Sequence, residues 1–190
     1  MVKGVDSKQK TVAAAARLLR RQGYHATGLH DVLQSGGSPR GSLYYHFPNG
    51  KEEIGVAALE FAAETVRASI AGAAATSENA EQFIVRILRG MAADLERSNF
   101  EEGCPIATTA LETSAQSKAL GDATRNGFQS WEREIKRGLE RFVLDGQRAD
   151  IIATALLSQL EGALLLARTY KSLEPINRAE QAVRVLLSLR

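Results

Sequence analysis

Residues 27–51 read TGLHDVLQSGGSPRGSLYYHFPNGK, and this stretch decides the fold. Leu29, Val32 and Leu33 share one face of a short helix, which the Thr27 hydroxyl can cap. Gly36-Gly37 breaks that helix. Ser38-Pro39 starts another, because a serine oxygen can accept from orphan N–H groups and proline suits the first helical position. This second helix runs to about His46. Leu43 and Phe47, four apart, dock it inward, while Arg40, Ser42, Tyr44 and Tyr45 offer donors elsewhere on its surface. Two short helices joined by a glycine turn and packed on a preceding amphipathic helix form a helix-turn-helix, able to present its second helix to the DNA major groove.

The flanks agree. Val12, Ala15, Ala16 and Leu19 form the buried stripe of a first helix that begins near Ser7 and ends at Gly23 in a left-handed conformation. After the Pro48-Asn49-Gly50 turn, Asn49 can cap a long fourth helix with Glu52 as the partner acid of a capping box. Residues 1–51 carry eight Lys/Arg against Asp6 and Asp31, a net of +6, which leaves −4 on the remainder of a chain of +2 overall. A basic segment on a weakly acidic body suits approach to a polyanion. Arg40 is able to make a bidentate contact to guanine O6 and N7, and Gly41 leaves room for close backbone approach. The hydroxyls and His46 suit phosphate oxygens, as does Lys51 at the start of the fourth helix.

With these residues in view, the stretch resembles the signature of the TetR family, a glycine turn followed by a short recognition helix ending in Leu-Tyr-x-His-Phe. PRGSLYYHFPNGKEE, together with GCPIA at 103–107, is similar to the LmrA/YxaF-like subgroup. The motif covers about the first 55 residues; the rest matches in helical pattern and length. The resemblance implies DNA contacts at Thr27, His30, Ser38, Arg40, Gly41, Ser42, Tyr44, Tyr45, His46 and Lys51. Two positions depart from the commonest family form: Ser38 stands where an apolar turn residue is usual, and the turn at 48–50 is one residue longer.

Beyond residue 50 the pattern is helical throughout, with helices expected at about 50–74, 78–98, 105–115, 117–144, 148–171 and 175–190. The expected architecture is all-α with about nine helices: a DNA-binding domain over 1–50 and a ligand-binding and dimerisation domain over 51–190. The last two helices are apolar on more than one face. Ile151, Ala155, Gln159, Gly162, Ala163 and Leu166 are candidates for a shared surface, as are Ile176, Ala179, Val183, Leu186 and Leu187 of the last helix, which carries a second stripe at Ala182, Val185 and Leu189. The region 148–190 then forms a four-helix interface across a two-fold axis, the alternative being a wholly intramolecular core.

Aromatic and sulfur-bearing residues on the middle helices are candidates for an effector cavity: Phe61, Phe83, Met91, Cys104, Phe128 and Trp131. Ile87, Ile106 and Ile135 complete an apolar wall, and Thr108 or Thr109 orients the ligand. Plain core packing is the simpler role for most of them. The expected effector is flat and hydrophobic or aromatic, and the subgroup resemblance implies a flavonoid-like or drug-like compound. Family resemblance also implies that the effector alters the separation of the recognition helices; for that it must prefer the DNA-incompetent conformation. Cys104, beside Pro105, can be read as a redox switch or as packing, with Glu101 and Glu102 opposing a lowered thiol pKa.

Other classes fit less well. The single cysteine excludes an intramolecular disulfide, no metal-ligand spacing or phosphate-cradling glycine loop appears, and all three histidines lie within the first 46 residues. No catalytic set, cofactor or metal is expected. Met1–Lys10 lacks the apolar core of a signal peptide, and Gln159 and Glu161 interrupt the apolar run 151–167, so a cytoplasmic protein without a membrane partner is expected. The competing functions are a DNA-binding regulator without a small-molecule ligand and a helical protein-interaction adaptor.

Overall fold

The computed structural model describes the backbone of residues 2–37, 40–142 and 145–188, and their side chains except at 2–6, 40, 42 and 188. Among the described residues the structure is helix and connecting turn. The helices are α1 (Val2–Gln22), α2 (Leu29–Gly36), α3 (Arg40–His46), α4 (Lys51–Ala75), α5 (Ala80–Arg97), α6 (Pro105–Thr113), α7 (Lys118–Glu140), α8 (Gly146–Tyr170) and α9 (Glu174–Ser188). The chain divides into two compact units, Met1–Glu64 with Cys104–Phe128 and Thr65–Gly103 with Gln129–Arg190, so α4 and α7 contribute to both. These units are partitioned differently from the expected division at residue 50.

In the first unit α1 lies against α2, α3 and α6. Its small residues permit this: Ala14, Ala15 and Ala16 are buried, and an added methyl at Gly36 would sit 3.3 Å from the Lys10 carbonyl and 3.4 Å from Ala14 Cβ. Helix α1 begins at Val2, earlier than expected from its apolar stripe, and ends as expected at Gly23 with φ +79°. Helix α2 ends at Gly37 with φ +60°, where glycine avoids the Cβ clash of the left-handed region. Its start corrects the expected cap. Gly28 occupies that position and its N–H donates to Asp31 Oδ2 at 3.1 Å, while Thr27 is buried and donates its hydroxyl to Gly23 O at 2.6 Å, closing the preceding turn. The acid partner of the next turn also differs. Asn49 N–H donates to Glu53 Oε2 at 2.9 Å, whereas Glu52 accepts from the Ser117 hydroxyl at 2.6 Å. Ser38 and Pro39, expected to start α3, lie outside the described residues.

In the second unit α9 packs on α5 and α8. Asn79 caps α5 by accepting from Gln82 N–H at 2.8 Å, and Asp145 caps α8 by accepting from Arg148 N–H at 2.9 Å. Phe83 is fully buried, its ring 6.2 Å from that of Phe142, and Gly138 provides its seat: a methyl there would lie 2.5 Å from two Phe83 ring carbons. Glu134, 7% exposed, is neutralised by Arg67 at 3.0 Å and Arg137 at 3.1 Å. Helix α8 is long and apolar enough to cross a membrane by length and composition. One stripe of it, including Ile152, Leu156, Leu160, Ala163 and Ala167, is buried within the protein.

Candidate functional site

Helix α3 is anchored by Leu43 and Phe47, each 1% exposed, as their spacing predicts. The opposite side is open. Tyr44 and Tyr45 are 59% and 83% exposed, and an added methyl at Gly41 would meet none of the described residues within 4 Å. Two large aromatic side chains left in water beside a backbone with no internal neighbour mark a surface built for an external partner. His46 is half-buried with its ring edge-on to Tyr45 at 5.0 Å, and His30 is exposed near Asp31, Nδ1 to Oδ1 4.0 Å. The backbone of Arg40 and Ser42 belongs to α3, but their side chains, like all of Ser38, lie outside the described set. Thr27 is the exception among the candidates: its burial and its bond to Gly23 O point the hydroxyl inward, which removes it from the open face.

Lys51 is half-buried at the start of α4. Its Nζ donates to His25 O at 3.2 Å and stands 4.5 Å above the Tyr24 ring. Burial lowers its pKa, and the Glu112 carboxylate acts in the opposite direction. Tyr24 in turn is raised by burial and by Glu52. One cation beside α3 was absent from the sequence candidates: Lys8 Nζ lies 5.5 Å from the centroid of the Phe47 ring. The basic charge of 1–51 was the signal for it, but periodicity does not tell which turn of α1 meets the end of α3.

This geometry coincides with sequence similarity over the same residues. Residues 12–58 match the bacterial regulatory proteins of the tetR family, and residues 80–182 match the C-terminal domain of LmrA/YxaF-like transcriptional regulators. The chain belongs to the TetR family. It is 31% identical over 182 residues to the HTH-type transcriptional regulator LmrA of Bacillus subtilis, covering 96% of this chain and 97% of that protein. It is equally similar to YxaF of the same organism, an uncharacterized HTH-type transcriptional regulator, with 31% identity over 182 residues and coverage of 96% and 95%. A TetR regulator from Chloroflexus aurantiacus superposes with a TM-score of 0.79 at 28% identity, over 100% of this chain and 98% of that one. One from Legionella pneumophila shares the fold, with a TM-score of 0.83 at 22% identity and coverage of 93% and 95%. The protein is a DNA-binding transcriptional regulator, and α2 and α3 are its helix-turn-helix. Its relatives are named as regulators, not enzymes.

In this TetR-family chain the effector candidates are divided between the units. The first unit holds Phe61, which is 48% exposed, buried Cys104 and Ile106, half-buried Thr108 and Phe128, and Thr109. Cys104 Sγ accepts from Ala107 N–H at 3.3 Å and so caps α6, and Thr108 donates to Cys104 O at 2.8 Å. Thr109 differs from its neighbours: it is 0% exposed and its hydroxyl has no hydrogen-bond partner among the described residues. The second unit holds Phe83, Trp131 and Ile135, all buried, and half-buried Ile87 and Met91. Of these, Phe83 is committed to packing over Gly138.

The candidates for the shared surface are re-sorted by the fold. On α8, Ile151, Ala155, Gly162 and Leu166 are exposed, joined by Leu165 and Tyr170; on α9, Ala182 and Val185 are exposed. Ala163, Ile176, Ala179 and Val183 are buried within their own unit, 1–6% exposed, and do not belong to the open face. Leu186 and Leu187 are half-buried, and Gln159 is turned toward α9, its amide donating to Ala179 O at 3.5 Å. Helix α9 therefore directs the stripe of Ile176 and Val183 inward and the weaker stripe of Ala182 and Val185 outward. Leu189 lies outside the described residues.

Proposed function

We propose that this regulator is a repressor that acts in the cytoplasm as a homodimer, binds an inverted-repeat operator and is released by a small hydrophobic effector. Residues 1–50 serve DNA binding, and 51–190 serve effector binding and dimerisation. The outward side of α3, with exposed Tyr44 and Tyr45 flanking an open Gly41 over a fully buried Leu43–Phe47 anchor, carries the reading. Arg40 reads a base, while Tyr44, Tyr45, His46, Ser38, Ser42, His30, Lys51 and Lys8 hold phosphates. A two-fold dimer through the open α8–α9 face sets the recognition helices about 34–36 Å apart, matched to successive major grooves.

Thr109 favours an effector over a regulator without one. A hydroxyl left unpaired in the interior costs about 1–3 kcal/mol, and a ligand acceptor or donor recovers that. Release requires only that the ligand bind the DNA-incompetent arrangement more tightly. The test is selection from a random duplex pool across a salt series, repeated with Arg40→Ala, followed by displacement of the selected site with flat aromatic compounds. An enriched inverted repeat, relaxed at one position by about 1–3 kcal/mol in the variant, is the expected result. Absence of any enriched motif refutes operator reading. An operator complex that no compound of this class dissociates refutes the effector.

A further inference from the structure

Glu112, near the end of α6, reaches the turn that closes α1. Its Oε2 accepts from His25 N–H at 2.8 Å, and its own carbonyl meets His25 Nε2 at 3.3 Å. A carbonyl only accepts, so this second contact requires a proton on Nε2. The carboxylate lies over Gly23, where a Cβ would overlap Glu112 Oε1; the left-handed φ of +79° independently disfavours any other residue there. The backbone of His25 is thus held at both of its peptide groups, its N–H by Glu112 and its C=O by Lys51 Nζ at 3.2 Å, with the Tyr24 ring beneath that ammonium at 4.5 Å.

We infer that Glu112 is a positioning residue for DNA binding, which holds the 23–25 turn so that Lys51 is pre-set at the start of α4 to meet a phosphate. The inference rests on the reading of Lys51 as a phosphate contact. An ammonium has three donors, and the bond to His25 O occupies one. The others remain for an anion, and a lysine already held in place loses less rotamer freedom on binding than a free one. Helix α6 also carries Thr109, with its orphan hydroxyl, one turn before Glu112 in the same compact unit.

The test is a double-mutant cycle on affinity for a short duplex of arbitrary sequence at low salt, using full-length protein checked for folding by thermal melting. Lys51→Ala is expected to weaken binding about tenfold in the wild-type background and only about twofold in Glu112→Ala, a coupling of about fivefold. Glu112→Gln, which removes the charge but keeps an acceptor for His25 N–H, retains most of that coupling. If Glu112→Ala melts too low, Glu112→Met replaces it, since it keeps the length of the side chain but offers no acceptor of comparable strength to His25 N–H. The penalty of Lys8→Gln, a phosphate contact independent of sequence, stays the same in both backgrounds. Equal Lys51→Ala penalties with and without Glu112 overturn the inference. So does a fall in the Lys8→Gln penalty, which would mark a general loss of structure, or a Lys51→Ala variant that binds like wild type. A wild-type protein that binds no duplex would instead refute the DNA-binding reading itself.

Discussion

Leu165→Ala tests the proposed homodimer most directly. Leu165 is 64% exposed on α8, in a face with Ile151 at 66%, Leu166 at 43%, Tyr170 at 63% and Val185 of α9 at 63%. Such a patch is costly to leave in water and marks a contact surface. The substitution removes three carbons, worth about 0.8 kcal/mol each when fully buried, and the open two-thirds of the side chain is the part a partner can cover. That yields about 1.5 kcal/mol per protomer. A two-fold axis places the residue in the interface twice, so the dimer loses about 3 kcal/mol, or about 100-fold in Kd. Sedimentation equilibrium over a concentration series reads this directly. Leu111→Ala is the matched control, because Leu111 is 89% exposed but on α6, which belongs to the other compact unit, and it is expected to leave the dimer Kd unchanged. A dimer whose Kd is the same in Leu165→Ala as in wild type, or one weakened equally by Leu111→Ala, refutes the assignment of the interface.

Lys8→Gln is expected to weaken binding to all duplexes alike and to lower the slope of log K against log salt by about 1 per protomer, because one phosphate contact is lost; an unchanged slope in a salt titration rules Lys8 out. Gly138→Ala and Gly90→Ala are expected to move the melting temperature in opposite directions. At Gly90 a methyl meets nothing within 4 Å, and the helix-propensity gain of about 1 kcal/mol stands alone, whereas at Gly138 the overlap with the buried Phe83 ring costs about 1–3 kcal/mol and outweighs it. A raised melting temperature in Gly138→Ala by calorimetry would show that Phe83 has room to move.

The face of α9 and the position of Thr27 illustrate how far local pattern reaches. Helix α9 has two apolar stripes, and each satisfies the period of a helix equally well; only packing on α5 and α8 selects Ile176, Ala179 and Val183 for the interior. Thr27 has the chemistry of a helix cap, yet the left-handed Gly23 brings a carbonyl within 2.6 Å of its hydroxyl, and Gly28 with Asp31 takes over the cap. Glu112 and Gly23 are 89 positions apart in the chain, and nothing in the periodicity of either helix announces their contact.

Strong local signals were therefore sufficient for the helix-turn-helix: the Gly36-Gly37 break, the Leu43–Phe47 anchor and the donors of α3 act within one or two turns, where backbone geometry alone dictates which side chains share a face. The same signals placed the later helices approximately, since Pro105 and the apolar repeats act just as locally, whereas α8 starts at Gly146 on an Asp145 cap, earlier than its apolar pattern. Which apolar face is left over for a partner, which buried hydroxyl lacks an acceptor, and which carboxylate reaches the turn beside Lys51 depend on distances between residues far apart in the chain. Those distances exist only once the helices have packed, because a helix's own period is indifferent to what lies across from it.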